Sequence, residues 1–132
     1  MEMNMKDMVV ALAAMPEDKR KTMMMDRLDM FYGMPEAQRQ QAMSMMIQAV
    51  GTLSDADRRK LVKTRTECLC ELPDEKRHAL MGTHMSVLQG LSEKARMQEM
   101  QTTQSIIPEL SPEHQAVVKR MMEMMQHMGH QH

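Results

Sequence analysis

The sequence predicts an all-α protein: six short antiparallel helices, or seven with a truncated first unit, built from one 19-residue tandem repeat. Three observations carry this expectation. First, an apolar residue followed by Pro or Ser recurs at Met15-Pro16, Met34-Pro35, Leu53-Ser54, Leu72-Pro73, Leu91-Ser92 and Leu110-Ser111, nineteen residues apart each time. Second, an acid follows directly in five copies (Glu17, Glu36, Asp55, Asp74, Glu93), and an Arg stands three residues beyond it (Arg20, Arg39, Arg58, Arg77, Arg96). Third, counting the Pro or Ser as position 1, the apolar residues gather at positions 8, 9, 12, 15, 16 and 19. On a helical wheel these cover one arc of ~120°.

Each column of the repeat has a local physical reading. Ser is a good N-cap, and Pro is tolerated where a helix begins. The acid favours the positive end of the helix dipole, and the Arg can pair with it across one turn. Gly33, Gly51 and Gly90 fall near unit ends, where a left-handed cap is expected. The boundaries that follow are helices near 17–32, 36–50, 55–70, 74–89, 93–106 and 112–127, with an earlier one near 4–14 as the back half of a truncated copy. Pro108 stops the helix before the sixth unit. Helices of ~15 residues run ~22 Å, and short turns set each antiparallel to the one before. A single apolar stripe per helix favours a compact helical bundle over an α-solenoid, whose helices contact neighbours on two sides. The expected organisation is one domain over 1–132: a truncated unit at 1–14, six units over 15–128 and a tail at 129–132.

Composition narrows the function classes. The 132 residues carry 17 Lys and Arg against 18 Asp and Glu, a net charge near zero that argues against nucleic acid as a partner. No apolar run is long enough to span a membrane. The opening MEMNMKDM is too acidic and too broken to read as a secretory signal, while a targeting peptide removed beforehand is left open. Two cysteines, Cys68 and Cys70, are too few for a disulfide framework, which favours a reducing compartment such as the cytoplasm over secretion. With 22 Met and only Phe31 and Tyr32 as aromatics, the core is expected to be filled by flexible thioethers.

No catalytic constellation is legible: no Ser/His/Asp or Cys/His set in a recognisable context, no phosphate loop, and His78, His84 and His114 scattered along the chain. The repeated Arg residues are expected to be structural, each stem lying on the core and each head reaching its own acid or the last carbonyls of the preceding helix. Cys68 falls in a core column. Cys70, near a helix end, is reactive only if exposed.

The leading functional expectation is a non-catalytic interaction module or small accessory subunit of a larger assembly, binding protein partners or itself. Met25, Met45, Met97, Met124 and Met128 lie outside the apolar arc and would form its adaptable surface. No resident cofactor is expected on this reading. The alternative is a copper-type soft-metal site or store for Cu(I) or Ag(I), using Met124, His127, Met128, His130 and His132, because thioethers and imidazoles together suit soft ions. A further alternative is an apolar ligand held between Met-lined helices.

Overall fold

Every helix after the first begins where the repeat places its Pro or Ser, and the first is capped by Asn4. In the computed structural model, which describes residues 4–129, the helices are α1 (Met5–Ala14), α2 (Glu17–Tyr32), α3 (Glu36–Gly51), α4 (Asp55–Glu71), α5 (Asp74–Gly90), α6 (Glu93–Ile106) and α7 (Pro112–Gly129), with a 3₁₀ turn at Ile107–Glu109 before α7. No strand occurs among the described residues. The expected seven-helix order and its boundaries therefore hold to within two residues. The helix starts use two chemistries. Ser54, Ser92 and Ser111 cap through their hydroxyls, accepting from the N–H of Asp57, Ala95 and His114. Pro16, Pro35 and Pro73 cap by conformation alone, at φ near −56° and ψ 150°. Each leaves its carbonyl free to accept from the Arg four residues on.

The helix exits depart from expectation. No glycine among the described residues adopts positive φ, and Gly33 is right-handed at φ −74° and ψ −10°. The repeat ends its helices differently. The N–H at position 19 bonds the carbonyl at position 16 in every copy (Met15 to Leu12, Met34 to Phe31, Leu53 to Val50, Leu72 to Leu69, Leu91 to Leu88, Leu110 to Ile107). The chain then leaves extended; Leu72, for example, stands at φ −78° and ψ 152°. Leu91 and Leu110, each ahead of a Ser, are equally extended, so the exit does not depend on Pro and no left-handed residue is required.

The repeated Arg ties these turns together. Arg39 donates to the carbonyls of Phe31, Tyr32 and Met34 at 3.0–3.1 Å and to Glu36. Arg58 reaches the Leu53 carbonyl and Asp55, and Arg77 reaches the Cys70 and Leu72 carbonyls and Asp74. The sixth copy has Gln115 instead, and its amide still donates to the Leu110 carbonyl at 2.9 Å. Replacing Arg77 with Gln is therefore expected to keep the Leu72 bond and lose the rest, costing about 1–2 kcal/mol. Urea unfolding followed by circular dichroism measures this, and a loss under a few tenths would mean the turn closes without the guanidinium.

The same Arg also joins helices two units apart. Arg39 Nη1 donates to Thr83 Oγ1 at 3.3 Å, and Arg58 Nε to Thr102 Oγ1 at 3.1 Å. Thr64, Thr83 and Thr102 are all buried and stand nineteen residues apart. The packing follows this geometry. Each helix sits mainly on the helices two and three units away, as α1 does on α3 and α4, and α4 does on α6 and α7, with chain neighbours touching less. One continuous core results, running from Val9 and Leu12 through Met24, Leu61, Val62 and Leu80 to Ile106 and Val118.

Candidate docking groove and its polar floor

The pairing of helices two units apart holds for α1–α3, α2–α4, α3–α5 and α4–α6, but α5 and α7 meet only loosely among the described residues. The sequence differs at this pairing. Where the third, fourth and fifth copies carry Thr64, Thr83 and Thr102, the sixth carries Met121. A short hydroxyl allows close approach and accepts from the Arg of its partner helix. A thioether is longer and a poor acceptor. Arg77 accordingly spends its hydrogen bonds on Cys70, Leu72 and Asp74, all within its own turn.

A hollow of about 360 Å³ opens between α5 and α7, walled by Met81, Met85, Val117, Met121 and Met124. Arg77, Asp74, His78 and Arg120 edge it. Asp74 is committed to Arg77, whereas Arg120 is exposed with no ion pair among the described residues. A second hollow of about 130 Å³ adjoins the first through the shared residues Met81 and Met121, and is otherwise lined mainly by Leu69, Leu88, Met100, Val118 and Met122. Six methionines thus form one continuous wall along α7 and the facing sides of α5 and α6.

The floor of the second hollow is polar. Arg65 on α4, His84 on α5 and Glu99 on α6 all line it. Each stands at a position of the expected apolar arc, and Glu99 is the one polar residue of its column. Arg65 and His84 occupy position 12, a mixed column that holds Arg27, Met46, Thr103 and Met122 in the other copies. Glu99 occupies position 8, where others have Leu61 and Leu80. The Glu99 side chain is 5% exposed and accepts from Arg65 through Oε1, with His84 Nε2 3.9 Å from the same oxygen. Burial works against the Glu99 carboxylate, but the Arg65 charge, His84 and the Arg65 hydrogen bond together hold its pKa below the usual value. Burial and the Arg65 charge push His84 down to about 4, so it is neutral at physiological pH. His84, which seemed scattered along the chain, is therefore part of a buried cluster, and charged residues in core columns were the signal that could have revealed it.

The expected surface methionines divide. Met45 and Met97 are about half exposed, and Met124 is 39% exposed at the groove. Met97 extends the rim from Met100, three residues on along α6. Met25 is corrected: it is partly buried and packs against the core, because the buried face of α2 is turned from the expected arc, with Met24, Leu28 and Phe31 inside and Met23 and Met30 exposed. The side chain of Met128 lies outside the described residues. So do the side chain of His127 and the whole of His130 and His132, leaving Met124 as the described member of the soft-metal set. Among the described residues, no three His, Cys, Asp or Glu side chains are grouped to hold a metal ion.

Both cysteines are buried. Cys68 Sγ approaches the Lys21 carbonyl on α2 and Cys70 Sγ the His114 carbonyl on α7, so the two thiols face different helices. Burial pushes Cys68 up to about 12 and Cys70 up to about 11, which removes the thiolate that reactivity needs. Among the described residues, no helix is long and apolar enough to cross a membrane. No family model, curated protein or solved structure matches the chain.

Proposed function

We propose that this chain is a non-catalytic helical-repeat interaction module that docks an amphipathic helix of a partner protein in the methionine-walled groove beside α7. The observation that carries this reading is the break in the repeat: the one expected pairing that fails, α5 with α7, leaves six contiguous methionines around an opening. Among the described residues, six of the seven exposed large apolar side chains are also methionines, Val10 being the exception. Unbranched thioethers reshape to fit a helix at low cost, which suits a surface that accepts a partner's apolar stripe. From Val117 to Met124 the wall runs about 10 Å along α7, the rise of an i, i+4, i+7 stripe. Arg120 at the edge calls for an acid flanking that stripe.

Designed helical peptides test this directly, with Leu at i, i+4 and i+7 and either Glu or Lys beside them. The Glu form is expected to bind at micromolar strength by fluorescence anisotropy, and the Lys form more weakly. Changing Met81 and Met121 together to Gln is expected to weaken the Glu form at least about tenfold, since two buried apolar contacts are lost. Equal binding by that variant, or no binding by either peptide, rules the groove out.

A further inference from the structure

We infer that a hollow between α2 and α4 is a binding site for a carboxylate, anchored on the buried guanidinium of Arg20. The hollow measures about 330 Å³ and shares no lining residue with the methionine-walled groove. Arg20 lines it and is only 8% exposed, yet its Nε and Nη1 have no hydrogen-bond partner among the described residues. The later copies show what is missing. Arg39, Arg58 and Arg77 each pair with the acid three residues back. Among the described residues Arg20 makes no such pair with Glu17, which is exposed at the edge of the hollow. Arg39 and Arg58 also donate to the Thr 44 residues on, Thr83 and Thr102. The matching Thr64 lines the same hollow as Arg20 and donates to the Lys60 carbonyl at 3.0 Å, but receives nothing from Arg20. A buried guanidinium with neither an anion nor an acceptor is costly, so the site calls for an anion from outside the chain.

The charges around Arg20 select the class of anion. Arg59 is paired with Glu109, and Lys60 stands 3.9 Å from Asp57. Lys63 and Glu67 are one turn apart on α4 and oppose each other in charge. Arg20 is left as the buried charge without a counterion, while Glu17 and Glu67 on the same wall repel a second negative charge. A carboxylate carries one charge on a planar pair of oxygens that matches a guanidinium, and so suits the hollow better than a phosphate dianion. The apolar lining is confined to Ala56 and Ile106, which favours a short acid over one with a long hydrocarbon tail. A free organic acid and an acidic side chain of another protein present this same group.

The test uses the full chain labelled with 15N-arginine, titrated at neutral pH with acetate, inorganic phosphate and chloride at matched ionic strength. Acetate is expected to shift the Arg20 Nε–H resonance and to saturate at about millimolar strength, as one or two charge-assisted hydrogen bonds provide. Phosphate is expected to bind at least about fivefold more weakly, and chloride to leave the resonance in place. Acetate is also expected to raise the melting temperature. Arg20→Gln, which copies the residue at Gln115 in the last unit, is expected to fold and to lose that rise. No shift specific to acetate, phosphate binding as tightly as acetate, or a rise that survives Arg20→Gln each overturn the inference. So does acetate binding that appears only in Glu17→Gln, because Glu17 is then the occupant. Blocked glutamate separates the two sources of the carboxylate. Binding at the strength of acetate assigns the hollow to free organic acids, and binding at least about tenfold tighter assigns it to a protein's acidic side chain.

Discussion

Replacing Glu99 with Leu is expected to destabilise the fold by about 3–5 kcal/mol, and adding Arg65→Met to that variant to restore most of the loss. The single change leaves the Arg65 guanidinium with its carboxylate partner gone, on a side chain only 12% exposed. A charge stranded in that position costs far more than the ion pair contributed. The double change returns both positions to the residues their columns carry elsewhere. Leu61 and Leu80 fill position 8, and position 12 holds Met46 and Met122 beside Arg27 and Thr103. The repeat therefore already contains the apolar solution. Urea unfolding of the two single variants and the double variant closes a mutant cycle, and the coupling is expected to exceed about 2 kcal/mol. Additive losses would mean that water reaches Arg65 freely and that the cluster is not a buried one. A stable double variant would show that the pair is kept for something other than stability.

How much of this was legible in the sequence depends on whether a feature repeats. The nineteen-residue period fixes where helices begin, because Pro, Ser, the acid and the Arg act locally, within one turn of chain. It also fixes most of the core, because a helix with one apolar stripe has one way to bury it. The heads of Arg39, Arg58 and Arg77 land as expected on their own acids and the preceding carbonyls, whereas the buried Arg20 keeps Nε and Nη1 without a partner among the described residues, and the departure at Gln115 conserves one of those bonds. The helix exits misled because glycine near a helix end suggests a left-handed cap, whereas here a position-19 residue ahead of Pro or Ser already sets the exit.

Tertiary pairing was harder to read. Short turns suggest that chain neighbours pack best, but the Thr column at 64, 83 and 102 pulls together helices two units apart. Its period was visible as sequence, and its meaning depends on an Arg 44 residues upstream. The groove lies beside one of the three departures from that column, Met121, the others being Asp26 and Met45. The polar floor was hidden for the opposite reason. Arg65, His84 and Glu99 come from three different units and two different columns, so no window of sequence places them side by side.

His84 supplies the second large effect, as a dependence of stability on pH. Its ordinary pKa is 6.5, and in the folded chain burial and the Arg65 charge bring it down to about 4. Between those values the unfolded chain binds a proton that the folded chain refuses, so stability falls as pH falls. The contribution is fully present above pH 6.5 and is lost progressively down to about pH 4, amounting to up to about 3 kcal/mol. Glu99 acts in a lower window. Its folded pKa is depressed from 4.5, so its contribution is present above that value and lost as pH falls through the folded pKa. His84→Met, which restores the residue type of Met46 and Met122, is expected to flatten the profile between pH 6.5 and 4 while leaving the steeper fall below it. Thermal melts of both proteins in half-unit steps from pH 7.5 to 3.5 measure the difference. Parallel profiles would show that His84 takes up its proton in the folded state. In that case the Glu99 carboxylate, 3.9 Å away, outweighs burial and Arg65 together, and the floor of the hollow carries a positive charge at mildly acidic pH.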